Sequence, residues 1–67
     1  MKTIDLGNGA ACIIDNNGDK YWVLGDYPHR IDGPAIEYAD GHKSWYINGE
    51  KYSEEEFNII QEVLWAV

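Results

Sequence analysis

Cys12, His29 and His42 are the residues of this chain best suited to act as nucleophile, base or soft metal ligand. Asp15-Asn16-Asn17-Gly18-Asp19 adds a run of oxygen side chains. As a calcium loop, that run would place ligands at loop positions 1, 3 and 5, but the glycine needed at position 6 is Lys20 and position 12 is Asp26 instead of glutamate. A hairpin tip accounts for it better. The two histidines form no paired-ligand pattern and Cys12 has no second cysteine to work with, so a zinc site is not expected. A cysteine nucleophile needs a base and a group to orient it, and nothing in the sequence places either. The glycines follow no phosphate-loop pattern. The chain is expected to be no enzyme, with no catalytic residues, no metal and no cofactor.

The elements that would position any such residues are marked by turn dipeptides. Asn8-Gly9, Asn17-Gly18, Asp40-Gly41 and Asn48-Gly49 are each the kind of pair that a type I′ hairpin selects, since that turn needs positive φ at both central residues. An offset of 23 residues pairs Ile13 with Ile36, Asn17 with Asp40, Gly18 with Gly41, Lys20 with Lys43, Trp22 with Trp45 and Leu24 with Ile47. The chain therefore reads as two hairpin repeats, about 10–25 and 33–52, separated by the proline-bearing loop 25–34. Pro28 and Pro34 argue against a central strand in that loop.

Counting two-residue loops through all four turns predicts a register. It places Ile4 opposite Ile13, Leu6 opposite Ala11, Ile13 opposite Trp22, Ile36 opposite Trp45 and Trp45 opposite Tyr52. Trp22 and Trp45 become core residues, while Tyr21, Val23 and Tyr46 point to the other face. Glu37, opposite Ser44, falls on Tyr46's side. After residue 52 the period changes. Ser53 and Glu56 form a capping box, and Glu54, Glu55 and Glu56 suit the first turn of a helix over about 54–66. Phe57, Ile59, Ile60, Val63, Leu64, Ala66 and Val67 fill the half expected to cover the sheet, with Trp65 outside it. The predicted fold is α+β and mainly β. It is a single domain over residues 1–67: an antiparallel meander of about five strands (2–6, 10–15, 19–24, 35–39, 42–47, with a short extension at 50–52) under one C-terminal helix.

HRIDGPAIEYADGHKSWYINGEKYSEEEF resembles the DGPA-type short repeat proteins of bacteriophages and large DNA viruses. The resemblance rests on His29-Arg30, Asp32-Gly33-Pro34-Ala35, Gly41, Lys43, Trp45, Asn48-Gly49 and Ser53-Glu54-Glu55-Glu56-Phe57, and covers about residues 17–57. The first unit departs from the pattern, with Gly25-Asp26 where Asn-Gly would stand. The resemblance implies a small phage-like protein and assigns it no activity.

Composition narrows the partners. The 67 residues carry twelve Asp and Glu against five Lys and Arg, a formal charge of −7, so nucleic acid is not an expected direct partner. No apolar run approaches the roughly 20 residues that span a bilayer. The N-terminal MKTIDLGNG has no hydrophobic signal segment, so a cytoplasmic protein is expected, in the host cytoplasm if phage-encoded. Within HRIDGP, Asp32 is expected to cap the turn before Gly33, and Arg30 to pair with Asp32 or another acid. The expected function is an acidic protein-binding module that inhibits or modulates a host protein with a basic surface. A nucleic-acid-handling defence complex is one such target, which would make the role anti-CRISPR-like. The expected binding residues are Tyr21, Glu37 and Tyr46. The alternative is a self-associating structural or accessory repeat protein, pairing through an open strand edge or an uncovered face.

Overall fold

The structure, a computed structural model, describes the backbone of residues 1–65 and the side chains of residues 1–63. Expectations for the side chains of Leu64 and Trp65, and for Ala66 and Val67, lie outside the described residues. The fold is α+β and mainly β: an antiparallel sheet with one C-terminal helix packed on it. In chain order the elements are β1 (Lys2–Gly7), β2 (Ala10–Ile14), β3 (Lys20–Leu24), β4 (Tyr27–Pro28), β5 (Ile36–Glu37), β6 (Lys43–Ile47), β7 (Glu50–Tyr52) and α1 (Glu54–Trp65). The sheet order is β1-β2-β3-β5-β6-β7, with β4 also paired to β3. Among the described residues, no helix is long and apolar enough to cross a membrane.

Two of the four Asx-Gly turns behave as the sequence predicts. Asn8 and Gly9 (φ 56° and 83°) and Asn48 and Gly49 (φ 52° and 84°) all occupy positive φ, as a two-residue type I′ loop requires. The other two are longer. The Asp15 and Tyr38 amides donate to the carbonyls of Asp19 and His42, and the Gly18 and Gly41 amides donate back to Asp15 and Tyr38. These are three-residue loops, in which only the glycine (φ 90° and 98°) needs the left-handed region. The two repeats share the three-residue first turn and differ in the second. The second turn of the first repeat, Gly25-Asp26, has its glycine at φ 59° in the first central position, the arrangement of a type II′ loop.

One extra loop residue shifts every partner beyond it. Trp22 faces Cys12 instead of Ile13, and Ile36 faces Ser44 instead of Trp45, whereas Trp45 does face Tyr52. A bulge between Asp5 and Gly7 corrects the first hairpin too: Ile4 lies opposite Cys12 and Asp5 opposite Ala11, leaving Leu6 unpaired. The Asp5 carboxylate holds the bulge by accepting from the Gly7 amide at 2.8 Å. Following partners across the strands gives one row: Ile4, Cys12, Trp22, Ala35, Trp45 and Tyr52. Ala35 enters by continuing the β5 register one residue, and its carbonyl accepts from the Trp22 amide at 2.7 Å. It sits between two indoles and is completely buried, where a larger side chain would not fit. The tryptophans themselves are only half-buried. Among the described residues, the buried hydrophobic ones are Cys12, Ala35 and Phe57.

Within the proline loop, Tyr27–Pro28 forms a two-residue strand off the main strand order, paired with Leu24 and Val23 of β3 alone. Pro28 contributes only its carbonyl, which accepts from the Gly49 amide at 2.9 Å, so its missing donor costs nothing there. Helix α1 starts as predicted: Ser53 Oγ accepts from the Glu56 amide at 3.1 Å and Glu56 Oε1 accepts from the Ser53 amide at 2.9 Å. The helix packs on β6 and β7 through Phe57 and the half-buried Ile60 and Gln61, and Gln61 Nε2 donates to the Ile31 carbonyl at 2.8 Å. Ile59 and Val63, expected against the sheet, are 56% and 66% exposed. A helix crossing near the end of a narrow sheet contacts it along one stripe, not half its circumference.

Candidate protein-binding surface

Tyr21 and Tyr46 share the face opposite the tryptophan row, and both are half-buried. The Tyr21 hydroxyl donates to Asp15 and Asp19 at 3.3 and 3.5 Å. Desolvation, and then the charges of Asp15 and Asp19, push its pKa above the usual tyrosine value. Glu37 does not join them. The three-residue loop turns it to the tryptophan side, opposite Lys43 and Lys20, and its Oε2 accepts from Arg30 Nη1 at 3.1 Å. The trio expected as one binding surface is thus divided between two faces.

The HRIDGP segment is built around Arg30, as the structural reading of the sequence anticipated. Its guanidinium lies 3.9 Å from the centre of the Trp22 ring, donates to Asp32 at 2.9 Å and reaches the Pro34 carbonyl at 3.1 Å. Asp32 therefore serves Arg30, and no cap before Gly33 forms. A Cβ on Gly33 would stand 3.0 Å from the Arg30 guanidinium carbon, which explains the glycine. His29 is also committed: its amide donates to the Trp22 carbonyl, and its Nδ1 accepts from the Asn48 amide at 2.9 Å. Accepting there leaves Nε2 as the ring's donor. His42 pairs with Asp40 at 2.9 Å, and the hydrogen bonds from His42 hold the Asp40 carboxyl below its ordinary pKa. Among the described residues, no three His, Cys, Asp or Glu side chains are grouped to hold a metal ion.

What remains free is apolar surface, carboxylates and the four exposed lysines Lys2, Lys20, Lys43 and Lys51, with the carboxylates in excess. A groove of about 480 Å³ is lined by Leu6, Trp22, His29, Arg30, Ile31 and Asp32, with Leu6 53% and Ile31 50% exposed. Sequence reasoning missed Leu6 because it assumed an unbulged hairpin; Gly7, preceding the Asn-Gly turn, was the available signal. It missed Ile59 and Val63 because helical periodicity does not report how wide a sheet lies beneath. Among the described residues, the ion pairs are those of Arg30 with Asp32 and Glu37, and His42 Nδ1 lies within hydrogen-bond distance of Asp40. The other exposed carboxylates of Asp5, Asp26, Glu50, Glu54, Glu55, Glu56 and Glu62 carry no ion pair.

Comparison of the chain with protein-family models, curated proteins and solved structures finds no match.

Proposed function

We propose that this protein is a small acidic, non-enzymatic binding module, phage-encoded, that occupies a basic surface of a host protein and so inhibits or modulates it. The observation that carries this reading is the pairing of exposed apolar side chains with unpaired carboxylates on a hydrogen-bonded scaffold. Leu6, Ile31, Ile59 and Val63 are all at least half exposed, while the single arginine is consumed internally. Exposed apolar residues within a charged surround have the composition of an interface. The net charge of −7 favours a basic partner and a fast, salt-sensitive encounter. A nucleic-acid-guided defence complex offers such a surface, since it must attract phosphate, and carboxylates compete for the same lysines and arginines. The resemblance to DGPA-type repeat proteins supports the phage origin.

Self-association is the second reading, favoured by β1, whose six residues are all exposed along a sheet edge. Lys2, Asp5 and the bulge at Leu6 count against it, because charge and bulging are the devices that keep edge strands apart. Pull-down from host lysate across a salt series, run beside sedimentation of the pure protein, separates the two. A basic partner released by salt supports the binding module. Concentration-dependent homo-oligomers with no partner overturn it in favour of assembly.

A further inference from the structure

The outward face of α1 carries a second, separate pattern. At about 100° per residue, Val63 lies about 40° to one side of Ile59 and Glu55 about 40° to the other, with Glu56 and Glu62 about 60° away. Both apolar residues are mostly exposed, and all three glutamates are exposed. The helix Glu54–Trp65 contains no lysine or arginine. Phe57, Ile60 and Gln61 already dock it on the body of the protein, so Ile59 and Val63 are not needed to hold it there. An exposed (i, i+4) apolar pair on a helix is the form in which helices are read by grooves and by other helices.

We propose that this face, the Ile59–Val63 stripe rimmed by Glu55, Glu56 and Glu62, docks an apolar strip flanked by lysines or arginines on another protein. The inference rests on the protein-binding reading and names its face. Charge complementarity selects the occupant. Three carboxylates around two aliphatic side chains repel a second copy of the same face and match a basic amphipathic one, as flanking charges select partners in coiled coils. The aliphatic pair supplies lifetime, and the glutamates supply approach rate and orientation.

The test is amide chemical-shift mapping of the isotope-labelled chain with a synthetic leucine–lysine helical peptide whose leucines form one stripe. A scrambled peptide of the same composition serves as control. The expected result is perturbation centred on Glu55, Ile59, Glu62 and Val63 by the striped peptide, with weaker binding of the scrambled one. The double variant Ile59→Ser/Val63→Ser should melt like the parent and bind at least about tenfold more weakly. Should that variant unfold, Glu55→Gln/Glu62→Gln gives the same reading through the rim. Perturbation centred on the Trp22 groove or the Tyr21–Tyr46 face overturns the inference while leaving the acidic binding reading intact. Equal affinity for both peptides, or dimers formed through this face, also overturns it. Failure to bind either cationic peptide sinks both proposals.

Discussion

Replacing Arg30 with alanine tests the arrangement on which the loop over the sheet depends. Stacking on the Trp22 ring at 3.9 Å is a partly buried cation–π contact, worth about 0.5–1 kcal/mol. The ion pair with Glu37, whose side chain is 34% exposed, contributes about 0.5–1 kcal/mol, and the one with Asp32, at 69%, only a few tenths. The charge-assisted hydrogen bond to the Pro34 carbonyl adds about 1 kcal/mol. The sum is about 2–3 kcal/mol, which lowers the melting temperature of a domain this size by roughly 8–24 °C. Arg30→Lys keeps the charge but loses the planar fork, and should restore less than half of the loss. Thermal unfolding followed by circular dichroism and tryptophan fluorescence measures both. An Arg30→Ala protein that melts within a few degrees of the parent would refute the claim that this side chain fastens the loop to the sheet.

Other expectations follow from single contacts. Gly49→Ala should destabilise more than Gly41→Ala, although both glycines have positive φ, because a Cβ at residue 49 meets Tyr27 at 2.9 Å while residue 41 has open space; denaturant melts compare them, and adding Tyr27→Ala should erase the difference. Phe57→Ala should cost about 3–5 kcal/mol and unfold a marginal domain, whereas Val63→Ala should leave the melt nearly unchanged. Tyr21 and Tyr52 have pKa values raised above 10.0, Tyr21 by desolvation and then the nearby carboxylates, Tyr52 by its hydrogen bond to Glu50 and then desolvation. Their raised values give stability that is full below the unfolded pKa and is lost as pH rises through the folded values, so alkaline melts should fall in that window and Tyr21→Phe should flatten the fall.

The sequence was most legible where one local rule decides the geometry. The capping box of Ser53 and Glu56, the type I′ turns at Asn8-Gly9 and Asn48-Gly49, and the pairing of Trp45 with Tyr52 all depend on neighbouring residues alone. Asn17-Gly18 and Asp40-Gly41 look the same in sequence but close three-residue loops, because a glycine in the left-handed region fits either loop and the dipeptide does not say which residue closes it. That single ambiguity moved Glu37 from the tyrosine face to the tryptophan face and so took apart the expected binding trio. Ala35 illustrates the opposite case: its small size reads as unremarkable until the register places it between two indoles. The exposure of Ile59 and Val63 depends on how far the sheet extends beneath α1, a tertiary quantity that periodicity cannot carry.

The claim that acidic charge drives recognition is tested most directly by association kinetics, measured across a salt series with the partner recovered by pull-down. The account predicts an association rate that falls steeply as salt rises while the dissociation rate barely changes. An association rate indifferent to salt would contradict it.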